Sequence, residues 1–366
     1  MKIGILTFWW SNDNYGQLLQ CYALQKYLRD MGHSPFLIKY RWDNDVKASL
    51  YVKILQGLNP AKLIKYIKRI NHKKQVNVEQ KNNDRLFTEF RNKYIEQSIV
   101  SYNSYEELKN NPPEADVYIV GSDQVWRFGD RSLKRDLKKL HAYFLDFGPE
   151  SVKKMSYAAS WGTTTVEDNF AKEIKPLLAK FEYVSVREKT GIELCKKCGY
   201  EKAEWRPDPT LLLTPDMYRL LYKENKLRNF PNNFVLLYML RNDCDFDIET
   251  VYQFAKERGL EVIYVTGNGV VDKYDKLFAT IPEWLYLIDN AKYIITNSFH
   301  CCVFSSLFNR QFAAVPLSGR HAGMNSRIDS LFELLEIDKR YIQNNDFSIL
   351  DTNYFPKTDK TSSFYI

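Results

Sequence analysis

The chain has 366 residues, 45% of them hydrophobic and 15% aromatic, and its formal net charge is +7. The length is too great for one ordinary core and predicts two domains, and no apolar run approaches the ~20 residues that a membrane-spanning helix needs. The charge fits an anionic ligand, a nucleic acid or an anionic membrane surface, although solvated lysines explain it equally well.

The start of the chain and its six cysteines indicate a reducing compartment. The apolar stretch "MKIGILTFWW" passes directly into polar "SNDNYGQ" without a small-residue cleavage site. We therefore expect no secretory signal, a cytoplasmic protein and reduced thiols. "CKKC" (Cys195 to Cys198) has no second cysteine pair at matching spacing, which favours ordinary thiols over structural zinc.

Predicted strands and helices alternate along the first half of the chain. Apolar runs predict strands at 2–9, 35–40, 116–121, 153–160 and 183–187, and amphipathic periodicity predicts helices at 16–32, 169–181 and 188–199. We expect "RPDPTLLL" to be extended. Segment 43–111 is predicted to be a helical insertion or lid outside the sheet. It is strongly basic, with 12 Lys/Arg against 3 Asp/Glu between residues 47 and 93.

The pattern pauses near residue 228 and then restarts. Strands are predicted at 234–240, 261–266, 292–296 and 311–316, and helices at 245–259, 281–291, 298–309 and 325–336, before an irregular tail from about residue 340. Alternation of this kind implies parallel sheets. The sequence thus predicts an α/β protein of two doubly wound, Rossmann-like domains, 1–228 and 229–366, that face each other across a cleft.

Polar loops at predicted strand ends of the first domain are the candidates for acceptor binding, because ligands of doubly wound folds bind there. "NDNYGQ" contributes Asn14, Tyr15, Gly16 and Gln17, and "GSDQVW" contributes Ser122, Asp123, Gln124 and Trp126. Hydroxyl, carboxylate and amide groups suit sugar hydroxyls, and a tryptophan suits a sugar ring. A plain turn and a helix N-cap explain the same residues without a ligand.

A second set of residues is suited to an anion. Arg187 ends a strand and needs either an anionic ligand or an internal salt bridge. Asn297 or Ser298 caps a helix whose first amides favour anions, and His300 lies in that first turn, as a proton donor or as a buried structural histidine. "RHAGMNSR" adds Arg320, Asn325 and Arg327, with a surface ion pair as the alternative for Arg327. Cys301 and Cys302 lack a base placed for nucleophilic chemistry.

Six stretches together resemble polysaccharide pyruvyl transferases, in the order seen in that family: "NYGQLLQCYALQKYL", "YIVGSDQVW", "SYAASWG", "VSVREKTG", "DPTLLL" and "ITNSFHCCVFSSLFNRQFAAV". The resemblance covers roughly residues 1 to 336. By position, Arg187 matches the family's arginine after the "S-V" strand, and His300 matches the histidine of its Ser-Phe-His motif. Two departures stand out: Ser298 replaces the arginine of many members, and Cys301 replaces a glycine. Arg320 or Arg327 is the hypothetical substitute for the missing charge.

The resemblance implies a fold like that of GT-B glycosyltransferases and the transfer of pyruvate from phosphoenolpyruvate to two sugar hydroxyls as a cyclic ketal. The acceptor would be a precursor of a capsular or exopolysaccharide. It further implies a second domain that holds the donor and a first domain that holds the acceptor. In that scheme His300 is the acid, Asp123 orients or deprotonates an acceptor hydroxyl, and no metal or cofactor is needed beyond phosphoenolpyruvate as co-substrate.

Three other interpretations stay open. A GT-B glycosyltransferase with a nucleotide-sugar donor fits the same fold, although no carboxylate for a ribose stands out. A non-catalytic binding homologue fits the Ser298 departure. A nucleic-acid binder would use segment 47–93, but few aromatics interleave its charges. We therefore expect no nucleic acid and interpret the segment as a lid, or as a peripheral contact with the inner face of a membrane that carries a lipid-linked acceptor.

Overall fold

The computed structural model describes residues 1–41, 85–128, 133–241, 244–267, 270, 272–354 and 356. Most of the basic segment 47–93 therefore lies outside the described residues. Two separate parallel sheets, of seven and four strands, organise the chain. This is the α/β architecture, with two Rossmann-like parallel sheets, that the sequence predicts. No helix of the described residues is both long and apolar enough to cross a bilayer.

The larger sheet has the strand order β3-β2-β1-β4-β5-β6-β7, and every neighbouring pair is parallel. Its strands are β1 (Lys2–Leu6), β2 (Ser34–Tyr40), β3 (Gln97–Tyr102), β4 (Val117–Val120), β5 (Lys153–Ala159), β6 (Tyr183–Val186) and β7 (Glu204–Trp205). The order reverses between β1 and β4, so the loops after these two strands border the crevice where doubly wound folds bind ligands.

The smaller sheet has the order β11-β10-β8-β9 and is also parallel throughout. Its strands are β8 (Phe234–Met239), β9 (Glu261–Thr266), β10 (Tyr293–Thr296) and β11 (Phe312–Ala314). β8 is buried along its whole length, as its uninterrupted apolar sequence requires of a strand covered on both faces. The order reverses between β8 and β10, and the loop after β10 leads into the helix that carries His300.

Helices cover both sheets. They are α1 (Tyr15–Asp30), α2 (Phe87–Tyr94), α3 (Tyr105–Asn110), α4 (Leu133–Tyr143), α5 (Asp168–Leu178), α6 (Thr190–Lys197), α7 (Pro215–Lys223), α8 (Ile248–Glu257), α9 (Ile281–Asn290), α10 (Phe299–Leu307) and α11 (Ser326–Leu335). Within the described part of the chain, Pro209–Leu212, Gly319–Asn325 and Ser348–Asp351 form 3-10 helices.

The two halves meet through the first turn of α1. The ring of Tyr15 is fully buried and stacks on Trp284 of α9, with 4.9 Å between ring centroids and 3° between planes. Its hydroxyl donates to the carbonyl oxygen of Ala279 at 2.7 Å. Gly16, the next residue, packs directly on His300. The start of α1 is therefore fixed against the second half, which places its loop beside the N-terminus of α10.

Two secondary-structure predictions are wrong. Segment 43–111 was expected to contribute no strand, but Gln97–Tyr102 forms β3 at the edge of the larger sheet. "RPDPTLLL" was expected to be extended throughout, but Pro209–Leu212 forms a 3-10 helix that Asp208 caps through its side chain. The second difference matters for function, because it sets the direction of the Asp208 carboxylate.

Candidate active site

The Asp208 carboxylate lies at the centre of the site. Its Oδ1 accepts hydrogen bonds from the backbone amide and the hydroxyl of Thr210 at 3.1 and 2.8 Å. Its Oδ2 accepts from Ser122 Oγ at 2.7 Å and from Arg187 Nη1 at 2.9 Å, and it lies 3.4 Å from His300 Nε2. Loops of both halves of the molecule thus converge on one carboxylate.

Asp208 is buried yet held in its charged form. Burial alone would raise the pKa of this carboxyl, but the charges of His300 and Arg187 and the hydroxyl of Ser122 hold it well below its usual range. Opposite charges and donated hydrogen bonds both favour an ionised carboxylate. The group is therefore a fixed negative charge at neutral pH.

Arg187 follows β6, and its side chain is 1% exposed. Nη1 donates to Ser122 Oγ at 3.2 Å and to Asp208, whereas Nε and Nη2 are buried without a hydrogen-bond partner among the described residues. The internal salt bridge considered from the sequence therefore exists, but it uses only part of the guanidinium. Buried N–H groups without partners are costly, so the remaining donors suit a ligand with acceptor oxygens.

Arg327 lies in the first turn of α11 and faces the same region. The guanidinium groups of Arg187 and Arg327 lie 4.5 and 5.8 Å from the centroid of the Phe299 ring. Nε of Arg327 donates to the carbonyl oxygen of Met324 at 3.1 Å. Burial and then repulsion by Arg187 lower the pKa of Arg327 to about 9. The two cations on one ring repel each other, and an anion placed between them would relieve that repulsion.

His300 is the second residue of α10 and is buried. Ser298 caps this helix, because its Oγ accepts from the backbone amide of Cys301 at 3.4 Å. The other amides of the first turn face the strand end and favour negative charge. His300 Nε2 has no hydrogen-bond partner within the described parts of the chain, and Asp208 Oδ2 is the acidic oxygen beside it.

Gly16 makes room for the imidazole ring. A Cβ atom at this position would lie 2.1 Å from both Cγ and Nδ1 of His300 and 2.6 Å from its Cβ. Contacts this short are not tolerated, so only glycine allows the ring to lie against the first turn of α1. The predicted acceptor loop and the predicted acid are therefore in direct contact.

Asp123 lies after β4 in a strained backbone conformation, with a φ of 123°. Its Oδ2 accepts from Gln17 Nε2 at 3.3 Å, and Gln17 Oε1 accepts from the amide of Ser11 at 2.8 Å. Backbone strain of this kind costs of order 1–3 kcal/mol and is concentrated at functional sites. Gln124 follows, and its Oε1 accepts from Arg127 Nη1 at 3.3 Å. These groups line the ends of β1 and β4.

Other predicted site residues maintain the structure around the site. Asn297 accepts from the amide of Leu240 at 2.8 Å and donates to the carbonyl of Arg241 at 2.7 Å. Asn325 bonds both backbone groups of Leu317, at 3.0 and 2.9 Å. Their amide groups thus connect backbone segments, and the Ser122 hydroxyl donates a hydrogen bond to Asp208. Asn14 lies at the N-cap of α1 without a side-chain cap bond.

Two aromatic acceptor candidates require correction. Trp126 is 0% exposed, stacks on Phe144 at 4.9 Å and donates from Nε1 to the carbonyl of Tyr143 at 2.9 Å, so neither face is open to a sugar. Tyr15 is equally buried, between the two halves. Both follow the general tendency of large aromatics to fill cores. The side chain of Arg320 lies outside the described residues.

Sequence reasoning missed Asp208 and Phe299. Asp208 stands between two prolines just after β7, which restricts the backbone and suits a cap of the turn that follows. That pattern was available in "RPDP". Phe299 has no comparable sequence feature, because an apolar residue in an apolar helix is ordinary. Its role beneath two arginines depends on the meeting of the two halves.

Comparisons with known proteins identify the family. The chain matches the polysaccharide pyruvyl transferase family over residues 14–319. No curated protein sequence matches it. Similar solved structures include a UDP-GlcNAc 2-epimerase from Methanocaldococcus jannaschii in complex with UDP-GlcNAc and UDP, at 12% identity and a TM-score of 0.46, covering 96% of this chain and 91% of that one. The glycosyltransferase SnogD from Streptomyces nogalater has 11% identity and a TM-score of 0.37, with 97% and 88% covered.

Proposed function

The chain belongs to the polysaccharide pyruvyl transferase family, and on that premise we propose that it moves pyruvate from phosphoenolpyruvate onto two hydroxyls of one sugar as a cyclic ketal. The family implies a sugar or polysaccharide acceptor. We further propose that this acceptor is a precursor of a capsular or exopolysaccharide, lipid-linked where it is assembled at the membrane.

One observation carries the proposal: two buried arginines and a histidine surround the N-terminus of α10. Two nitrogens of Arg187, Nε and Nη2, have no hydrogen-bond partner among the described residues. The guanidinium groups of Arg187 and Arg327 both lie over the Phe299 ring, 4.5 and 5.8 Å from its centroid. A planar guanidinium pairs with a carboxylate or phosphate through two parallel hydrogen bonds. Phosphoenolpyruvate carries both anions on one small carbon frame, so two arginines with helix amides suit it well.

The first chemical step is protonation of the methylene carbon. His300 gives a proton to C3 of phosphoenolpyruvate, which becomes the methyl group and leaves positive charge at C2, shared with the attached oxygen. A positioned general acid contributes about 10²–10⁴-fold to the rate. The first sugar hydroxyl then attacks C2, and Asp123 accepts or directs its proton.

The second step closes the ketal. The C2–O bond to phosphate breaks, Arg187 and Arg327 stabilise the charge on the departing oxygen, and the second hydroxyl attacks C2. Of the two hydroxyl protons released, one balances the proton that entered the methyl group and the other leaves on inorganic phosphate. One phosphoenolpyruvate and one diol thus give one ketal and one phosphate.

The test is a thermal unfolding series with phosphoenolpyruvate, UDP, GDP and CMP at millimolar concentration. We expect phosphoenolpyruvate alone to raise the Tm, and we expect Arg187→Ala to abolish the increase. Arg187 also pairs with Asp208, so the quantity compared is the ligand-induced change in Tm rather than the Tm itself. Arg228→Ala is the matched control, because Arg228 pairs with the buried Glu283 elsewhere and should leave the response intact.

The outcomes separate the alternatives. A response to a nucleotide alone would favour a glycosyltransferase with a nucleotide-sugar donor. Binding of phosphoenolpyruvate without phosphate release, across a panel of sugar acceptors, would favour a non-catalytic homologue. With a productive acceptor, His300→Asn should abolish phosphate release while the protein stays folded, and full activity of that variant would refute the role of His300.

A further inference from the structure

We propose that Asp208 is a positioning residue that holds the Nε2 proton of His300 and leaves Nδ1 as the nitrogen that gives the proton to substrate. This inference rests on the proposed pyruvyl transfer and assigns a function to a carboxylate outside the predicted site. The imidazole has two nitrogens, and the partner of one decides which proton the other handles. The location of Asp208 therefore decides which ring nitrogen of His300 transfers the proton.

The distance between Asp208 and His300 supports a directed contact. Oδ2 of Asp208 lies 3.4 Å from Nε2, and no described atom makes a hydrogen bond with that nitrogen. A separation of 3.4 Å is longer than an ordinary hydrogen bond, as catalytic contacts of ligand-free enzymes often are. Because an ionised carboxylate only accepts hydrogen bonds, this approach favours the ring that carries its proton on Nε2.

Asp208 does not depend on His300 for its own position. Thr210 supplies two hydrogen bonds to Oδ1, and Ser122 and Arg187 supply two to Oδ2. Four donors from three separate segments fix the carboxylate before the second half of the chain contributes anything. A rigid carboxylate can therefore orient the ring, as a residue fixed by its own hydrogen bonds orients a catalytic group.

The other nitrogen lies toward the acceptor loop. The Cγ–Nδ1 side of the ring packs on Gly16, where a Cβ atom would lie 2.1 Å from Nδ1. That side of the ring therefore lies against the first turn of α1. With Nε2 directed at Asp208, Nδ1 is the ring nitrogen that remains to give its proton to C3 of phosphoenolpyruvate.

The charged and titratable groups around His300 are consistent with a proton on Nε2. Oδ2 of Asp208 is the acidic oxygen beside Nε2, and Arg187 Nη1 contacts the same oxygen at 2.9 Å. The phenols of Tyr157 and Tyr218 lie within the field of Asp208 and are strongly disfavoured from ionising by burial. The other charged groups around Arg327, on the elements packed against this region, are Asp123, Glu188 and Arg241.

The tautomer of His300 is a direct test that needs no variant of Asp208. Nitrogen-detected imidazole NMR on ¹⁵N-histidine-labelled protein separates Nε2–H from Nδ1–H rings, and His300→Asn identifies the resonances among the five histidines. We expect neutral His300 to be the Nε2–H tautomer in the ligand-free protein. A predominant Nδ1–H tautomer would overturn the proposal.

The kinetic test is Asp208→Asn, which keeps the shape and removes the charge. We expect kcat to fall about 10²–10⁴-fold, the range for losing a tautomer-fixing carboxylate or a general acid. The Kd of phosphoenolpyruvate should stay within about threefold of the wild-type value, since Arg187 and Arg327 remain. The basic limb of the profile of kcat/KM against pH should move to lower pH, since the imidazolium loses the carboxylate charge that stabilises it. Asp289→Asn is the matched control: Asp289 is also buried and pairs with Arg219 and Arg310.

The outcomes distinguish this inference from the proposed function. If phosphoenolpyruvate neither binds nor turns over in the wild type, the proposed function fails, and the tautomer still tests the geometry. If turnover is intact but Asp208→Asn lowers kcat only as much as Asp289→Asn does, with an unchanged pH profile, the positioning role fails. A large loss of kcat with a shifted profile, restricted to Asp208→Asn, supports it.

Discussion

Replacing Gly16 by alanine tests the contact between the two halves of the site. Gly16 is the second residue of α1, and the added methyl would lie 2.1 Å from Cγ and Nδ1 of His300. Carbon contacts are comfortable from about 3.5 Å, so the ring or the helix has to move by about 1.4 Å (3.5 minus 2.1). The substitution therefore displaces the proposed acid without changing its chemistry.

That displacement predicts two measurable losses. Misplacing a catalytic group by about 1 Å costs about 10²-fold in rate, so kcat should fall by at least that factor. Overpacking a well-packed site costs about 1–3 kcal/mol of the free energy of unfolding, offset by up to about 1 kcal/mol because alanine favours a helix over glycine. The net cost should thus be smaller than the loss of activity suggests.

A double-mutant cycle with His300→Ala separates the cost of overpacking from the gain in helix propensity. In the wild-type background, urea unfolding should show Gly16→Ala to be destabilising; in the His300→Ala background, where the space is vacant, it should be neutral or stabilising. Gly191→Ala is the control, since Gly191 is the second residue of α6 and its methyl would meet Trp161 and Val186 at 3.0 Å instead. Equal costs in both backgrounds, or full activity of Gly16→Ala, would refute the argument.

Three further predictions follow from the charges. Arg327→Met should leave the ligand-free protein as stable or more stable, because a buried cation is replaced by an apolar side chain, yet it should weaken the increase in Tm with phosphoenolpyruvate; a lower ligand-free Tm would contradict this. The pKa of Asp208 is held below its unfolded value. Relative to Asp208→Asn, the carboxylate should therefore stabilise the fold fully above about pH 5 and progressively less as the pH falls below about 4. Urea unfolding that gave the same difference in free energy of unfolding between wild type and variant at pH 7 and at pH 3 would exclude this effect. Segment 47–93, with 12 Lys/Arg against 3 Asp/Glu, should give salt-sensitive binding to anionic vesicles but not to neutral ones, and deletion of 47–81 should abolish it; no binding at low salt would end that idea.

Most of the fold follows from local sequence patterns, because each buried parallel strand is an apolar run and each helix alternates with one. The two-residue β7 (Glu204–Trp205) and β3 are exceptions. β3, "QSIVSY", lies at a sheet edge, and its three consecutive residues from Ile99 are open to solvent. Its identity as a strand depends on pairing with β2, a contact between segments separated by most of the basic insertion. No local pattern contains that information.

The site is predictable from sequence only where position alone decides the role. Arg187 and His300 follow strands of two different sheets, so their proximity follows from the prediction that two domains face each other across a cleft, with ligands at the strand ends. The partners of individual side chains were not expected: Ser122 and Arg187 share Asp208, and Asn297 and Asn325 bind backbone groups. Each of these side chains has many polar groups as potential hydrogen-bond partners, and the actual partner depends on how the two halves of the chain are oriented.

The serine at position 298 is compatible with a complete donor site. Ser298 caps α10 and brings no charge, but Phe299 beside it supports a guanidinium from each half of the chain, Arg187 from the end of β6 and Arg327 from α11. An arginine at 298 would add a third cation to a pocket in which repulsion by Arg187 already lowers the pKa of Arg327. Serine therefore avoids an excess of buried positive charge, while the helix amides and the two arginines still offer donors for both anionic groups of the donor that we propose, phosphoenolpyruvate.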